Sequence, residues 1–212
     1  VNYDVGSRDE RKGRTGFAHL FEHMMFKGSE NVGSGEHPHL VFTNGGSMNG
    51  TTNKERTLYF EILPANQLDL GLFLEADRMR SLDVSAENLK NQQNVVSEEV
   101  RVNVLNQPHN AFEWLEIWER ANTNWYNAHN FYGDLADLEA ATLEDVRTFC
   151  KTYYAPNNAV LVVVGDTTAA DVRRLAEKHF GNIPRQPVSA PPDVSEPPQK
   201  EARRFSRDDK LA

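Results

Sequence analysis

His19-Leu20-Phe21-Glu22-His23 spells H-x-x-E-H, and those three polar side chains can act together on a helix. Residues four apart stand one above the other on an α-helix, so His19 and His23 point the same way with Glu22 beside them. Thr15-Gly16-Phe17-Ala18 opens the surrounding apolar run and Lys27-Gly28-Ser29 closes it. The pattern predicts a helix of about three turns, with Thr15 as N-cap and Gly28 as its stop. Two converging imidazoles suit zinc, and a carboxylate held next to them can act as a general base. The order inverts the commoner H-E-x-x-H. The same spacing also arises by chance, in histidines that cap a helix or sit half-buried. A hydrolytic zinc site needs a third protein ligand and an open position for water, so a distant segment must complete it.

Ser85 to Leu105 reads as a second long helix, with Leu89, Val96, Val100 and Leu105 among its apolar positions and Pro108 just past its end. Gln92, Val96, Glu99 and Asn103 share one stripe of it. A carboxylate on such a stripe is either a surface charge or a residue with a buried partner. By composition alone, Glu98 has the same claim as Glu99 to be a ligand.

The run Val5-Gly6-Ser7-Arg8-x-Glu10-x-x-Gly13-Arg14-Thr15-Gly16-Phe17-Ala18 followed by the pentad and Met24-Met25-Phe26-Lys27-Gly28-Ser29 resembles the pitrilysin/insulinase-type metallopeptidases. That group includes the mitochondrial processing peptidases, and this chain is most similar to the bacterial members. The family's third ligand is a glutamate in a V-V-x-x-E segment about 75 residues after the second histidine. Val95-Val96-Ser97-Glu98-Glu99 matches, with 75 residues between His23 and Glu99. The resemblance therefore implies one zinc ion per chain held by His19, His23 and Glu99, with Glu22 as the base. Gly45-Gly46-Ser47-Met48-Asn49-Gly50-Thr51-Thr52 and Arg56-Thr57-Leu58-Tyr59-Phe60 resemble the substrate-facing hairpin, which implies substrate contacts at Gly46, Met48 and Asn49. Ala76-Asp77-Arg78-Met79 is similar to the end of the family's next helix, and Tyr153-Tyr154-Ala155-Pro156-Asn157-Asn158-Ala159 to its late helix-to-strand junction. Many members carry a glutamate seven residues before the third ligand, where this chain has Gln92. An amide beside the site can orient a water or a neighbour but cannot take a proton as a carboxylate does.

Bulk properties remove some function classes. A net charge of −8 with scattered Lys and Arg leaves no footprint for nucleic acid. No apolar stretch approaches the length of a membrane span. The single Cys150 allows no intrachain disulfide. Val1 to Val5 alternates like a strand already under way, which suggests an N-terminal strand, and any targeting segment, outside this chain. The bacterial periplasm is the expected compartment.

Ser29 to Pro38 is rich in Gly and Ser and reads as loop, with His37 and His39 as surface histidines. Gly46 to Leu63 reads as a hairpin whose first, Gly-rich strand is an exposed edge. A helix follows from about Ala65 to Arg80. Phe112, Leu115 and Trp118 fall on a helical stripe expected to pack in the core. Thr142-Leu143-Glu144-Asp145 and Thr168-Ala169-Ala170-Asp171 resemble capping boxes that start helices. Between them, the valine-rich run Ala159 to Val164 fits a strand covered on both faces. His109, His129 and His179 lie outside any ligand spacing. Six of the ten prolines fall between Pro184 and Pro198, marking a linker and charged tail.

These elements predict an α/β (α+β) domain with a mixed, largely antiparallel sheet and helices mainly on one face. The domain would span 1–183, with 184–212 leading towards a second domain. The resemblance implies a zinc endopeptidase acting on extended or unfolded polypeptides, enclosed between this half and a homologous second half or subunit. The alternative is a non-catalytic or half-site subunit that binds peptide or supports an active homologous partner.

Overall fold

Strand β3 (Thr57–Ile62) shows how the sheet is sided: Thr57 and Tyr59 are buried, whereas Phe60 and Ile62 face outward. It pairs antiparallel with β2 (Ser47–Thr52) and with β1 (Asn2–Tyr3), and β1 pairs antiparallel with β4 (Ala159–Val160). The order is β2-β3-β1-β4, so β2 is a sheet edge. The computed structural model describes residues 1–208. Every strand pair among the described residues is antiparallel, and the helices lie mainly against one face. Among these residues no helix is long and apolar enough to cross a membrane.

The helices are α1 (Phe17–Met24), α2 (Glu36–Thr43), α3 (Leu68–Ser81), α4 (Ala86–Val100), α5 (Ile117–Ala121), α6 (Trp125–Ala128), α7 (Leu135–Glu139), α8 (Leu143–Tyr153) and α9 (Ala169–Phe180). The main core joins Tyr3 and Val5 from the first segment, Phe17, Leu20, Phe21 and Met24 of α1, Tyr59 of β3, Val96 of α4 and Phe149 of α8. Tyr59 is also polar glue, because its hydroxyl donates to the Phe21 carbonyl at 3.1 Å and ties β3 to α1. Both expected helix starts hold, but only the first is a full capping box: Thr142 accepts from Asp145 N while Asp145 accepts from Thr142 N, whereas Thr168 only accepts from Asp171 N. Ser85 caps α4 in the same way, and beyond Val100 that helix widens into a π turn over Arg101–Leu105.

Several expectations fail for identifiable reasons. Helix α1 is only eight residues long, and Gly16, not Thr15, precedes it. Thr15 is diverted, its hydroxyl donating to Asp137 and accepting from Asp134 N, while Glu10 takes over the amides of Gly16 and Ala18. His37 is no surface residue, because the expected loop turns into α2 at Glu36 and carries the ring inward. Trp118 is 45 % exposed, and its ring receives Lys54 Nζ at 4.7 Å from the centroid rather than core neighbours. The valine run stops pairing after Val160, and Val162 and Val164 are 68 % and 91 % exposed instead of being covered. Residues 184–208 form no helix or strand, yet Glu196 is fastened to Thr123, Asn124 and Asn127. The last four positions of the expected tail, 209–212, lie outside the described residues.

Candidate metal centre

Helices α1 and α4 pack against each other, and that contact brings the distant carboxylate to the histidines. His23 Nε2 lies 3.1 Å from Glu99 Oε2, and His19 Nε2 lies 3.6 Å from Glu99 Oε1. The two imidazole rings sit 4.9 Å apart at 89° to each other. Glu98, one position earlier, is exposed and paired with Arg101. Helical rotation separates the two glutamates: Glu99 shares the α1-facing stripe with buried Gln92 and Val96, whereas Glu98 turns to solvent. The imidazoles, His19 before His23, hold the Glu99 carboxyl well below the usual carboxylate range.

One donor atom each from His19, His23 and Glu99 lies within 4.8 Å of the others. Metal–ligand bonds of about 2.0–2.1 Å in a tetrahedron place ligands roughly 3.3 Å apart, close to the separations here. Two imidazoles and a carboxylate are a zinc donor set, and no cation among the described residues competes for them. The group therefore fits zinc.

A second cluster of donors does not fit as well. His37, Glu61 and Glu75 also lie within 4.8 Å. His37 Nε2 is 2.6 Å from Glu61 Oε1, and Arg78 grips both oxygens of Glu75, with Nε at 3.1 Å from Oε2. Burial pushes Glu61 up to about 7 and His37 down to about 3, the latter helped by the Arg78 charge. Each donor there already has a protein partner and a guanidinium stands over the group, so it is a closed structural network.

Glu22 projects from α1 beside the histidines and is half-buried. Strand β2 crosses directly over it: a side chain at Gly50 would place its Cβ 2.8 Å from Glu22 Cγ. Thr52, on the same side of β2 as Gly50, donates from Oγ1 to Glu22 Oε2 at 2.5 Å. Asn49 alternates to the other side of the strand, exposed, with its Oδ1 accepting from Gly50 N. Met48 packs into a separate small cluster with Val32, Val41 and Leu74. Gly46 is held against Ile62 O, Leu63 and Val41. Among the described residues no hydrogen bond joins Gly46, Met48 or Asn49 to Glu22 or the donor triad. Gln92 is buried on the Glu99 stripe and donates to Asn91 Oδ1 at 2.5 Å.

Other groups shape the site without any ligand spacing to reveal them. Phe131 and Tyr132 stand edge-on to His19 at 5.8 Å and 5.2 Å, backed by Trp114. Burial, then the charges of Glu99 and Glu22, raises the Tyr132 hydroxyl above its ordinary value. Glu10 accepts from Gly16 N at 3.0 Å and Ala18 N at 2.9 Å, placing a buried carboxylate at the N-terminus of α1. Only the alternation of β2 could have pointed to Thr52, and nothing local pointed to Glu10 as a remote cap.

The family described as insulinase (peptidase family M16) matches residues 1–124, and the one described as peptidase M16 inactive domain matches residues 140–211. The zinc protease PqqE of Helicobacter pylori is 34 % identical over 209 residues, covering 96 % of this chain and 46 % of that protein. The human mitochondrial-processing peptidase subunit beta is 24 % identical over 179 residues, covering 84 % and 36 %. A protease crystal structure from Helicobacter pylori superposes with a TM-score of 0.87 at 33 % identity, over 92 % of this chain and 48 % of that one. Pitrilysin gives 0.79 at 18 % identity over 92 % and 21 %, a likeness of fold. The chain thus spans about half the length, or less, of the curated relatives it matches. With the inverted pentad, the α1–α4 donor triad and these matches together, the chain belongs to the insulinase family of peptidases, family M16.

Proposed function

We propose that this chain is the catalytic half of a zinc-dependent endopeptidase that hydrolyses extended or unfolded polypeptides. The observation that carries this reading is the convergence of His19, His23 and Glu99 beside Glu22, a half-buried carboxylate that is not itself part of the donor triad. His19, His23 and Glu99 would hold the ion. Zinc there supplies a Lewis acid that polarises the scissile carbonyl and makes a nearby water easier to deprotonate. Glu22 takes the proton from the attacking water at Oε1, since Oε2 is engaged by Thr52, and passes it to the departing amine. The outer edge of β2 is unpaired among the described residues and runs over Glu22, so an extended peptide can add to it as a further strand. Backbone pairing of that kind reads extended conformation and leaves sequence preference to side-chain pockets. Asn49 would then act from the exposed side of the strand, on a partner other than the scissile carbonyl.

A second half completes the enzyme in this reading. The chain matches only 46 % of the PqqE length, and the family resemblance assigns oxyanion and substrate-binding groups to the other half. Losing one such donor costs about 10²–10³ in rate, so this half alone would cleave poorly. The competing reading, a non-catalytic subunit that binds peptide or supports an active partner, is favoured by Gln92 at a position where many relatives carry a carboxylate.

The test is cleavage of an unstructured fluorogenic peptide by the full-length protein loaded with zinc, with Glu22→Gln alongside. The expected result is a kcat reduced by about 10²–10⁴ with zinc content unchanged. Equal turnover by both proteins would reject Glu22 as the base, and absence of turnover in the wild type would favour the supporting subunit.

A further inference from the structure

We infer that Thr52 is the positioning residue that orients the Glu22 carboxylate, an inference that rests on the peptidase reading with Glu22 as base. Among the described residues Thr52 is the sole hydrogen-bond partner of the Glu22 carboxylate, donating from Oγ1 to Oε2 at 2.5 Å. Glu22 is half-buried and would otherwise have free rotation about its outer torsions. A hydroxyl on a strand is a firm anchor, because its position follows from sheet register rather than from a loop. Thr52 pairs with Thr57 in the ladder, and Thr57 is fully buried with its Oγ1 donating to Val5 O at 2.9 Å. Two residues along β3, the Tyr59 hydroxyl holds the Phe21 carbonyl, so the hairpin is tied to the turn of α1 that carries Glu22. Gly50 completes the arrangement, since any side chain there would meet Glu22 Cγ and push the strand, and Thr52 with it, away from the helix.

Holding Oε2 does two things for the base. It selects Oε1 as the atom that exchanges the proton, and it limits the carboxylate to one orientation relative to the donor triad. A misplacement of about 1 Å in a reacting group costs on the order of 10²-fold in rate, so the hydroxyl acts on turnover rather than on substrate binding. Among the described residues Thr52 makes no hydrogen bond to the triad, and its side chain stands out of the sheet plane rather than along the outer backbone edge offered to the peptide.

The experiment compares wild-type, Thr52→Val and Thr52→Ser full-length protein, each loaded with zinc, by steady-state cleavage of an unstructured peptide and by crystal structure. Valine keeps the branched shape and suits a strand, and serine restores the hydroxyl. The expected result is a kcat roughly 10- to 100-fold lower for Thr52→Val, with KM and zinc content unchanged and Thr52→Ser within a few-fold of wild type. In the crystal, the Glu22 carboxylate leaves its place in Thr52→Val and returns in Thr52→Ser. Full turnover by Thr52→Val, a Thr52→Ser protein as slow as the valine variant, or an unmoved Glu22 would each overturn the inference. A wild type that shows the Thr52–Glu22 bond yet cleaves nothing refutes the peptidase reading, and the crystal comparison then decides the positioning on its own.

Discussion

Replacing Glu10 with Gln isolates how α1, the helix that carries the H-x-x-E-H pentad, is started. Glu10 has no exposed side-chain surface and accepts from two α1 amides, while His129 Nε2 lies 3.4 Å from its Oε2. His129 also places Nδ1 at 2.9 Å from Trp125 O and Nε2 at 2.6 Å from Ser7 O. Both ring nitrogens thus face acceptors, which requires the doubly protonated ring. Burial alone would lower its pKa, but the Glu10 carboxylate and the two carbonyls outweigh burial and raise it. In Glu10→Gln the amide oxygen can serve one helix amide, the NH2 group opposes a donor, and the imidazolium loses its counter-charge. Breaking a buried pair by removing one partner costs about 3–5 kcal/mol. With a slope of about 2–3 kcal/mol per molar urea, the midpoint followed by circular dichroism at pH 6 falls by roughly 1–2 M. The folded pKa of His129 lies above its unfolded value, so its stabilisation is complete below about pH 6.5 and fades as pH rises through the folded pKa. The gap between wild type and variant should therefore narrow at alkaline pH, and adding His129→Gln to Glu10→Gln should recover part of the loss. A loss under about 1 kcal/mol at pH 6, or a gap that widens with pH, would refute the imidazolium–carboxylate pair.

Three further outcomes follow from the geometry. Glu99→Gln should weaken zinc binding, measured by competition with a chromophoric chelator, beyond the roughly 10- to 100-fold typical of an outer-shell change, whereas Glu98→Gln should leave it unaltered; equal effects would reject the choice of Glu99. Gly133 has φ +73°, and a Cβ there would stand 2.2 Å from Gly16 N at the start of α1, so Gly133→Ala should cost more than about 2 kcal/mol in thermal unfolding. The Thr142 hydroxyl, then the Arg14 guanidinium, holds the Asp145 carboxyl at about 2 against burial. Its folded pKa lies below the unfolded value, so that stabilisation is present above about pH 4 and is lost as pH falls towards 2. Asp145→Asn should flatten the acid limb of the urea midpoint between those values; parallel curves would reject the assignment.

Residues whose partners are near in sequence were the ones open to inspection along the chain. Thr142 and Thr168 find their backbone N–H donors three residues on, and the β2–β3 hairpin closes around Asn53, whose Oδ1 accepts from both Glu55 N and Arg56 N. The local pattern misleads where a distant group outcompetes a neighbouring one. Thr15 reads as an N-cap until Asp134 and Asp137, about 120 residues later, claim its hydroxyl. His37 reads as solvent-facing until Glu61 reaches it from β3. Apolar content alone marked Val162, Val164 and Trp118 for the interior, yet a side chain is buried only if another element arrives to cover it.

The order of residues alone brings His19, Glu22 and His23 onto one side of one helix, because the 3.6-residue period needs nothing beyond the chain itself. It also supplies the α4 stripe on which Gln92, Val96 and Glu99 align. Tertiary packing makes the remaining choices. The α1–α4 contact turns Glu99 rather than Glu98 towards the imidazoles, the sheet register places Thr52 against Glu22, and folding delivers Glu10 to the start of α1. Helical periodicity is a short-range property of backbone geometry. Which carboxylate meets which histidine depends on how two helices rotate about their own axes when they bury Val96 and Leu20, and that is settled only by close packing of the whole core.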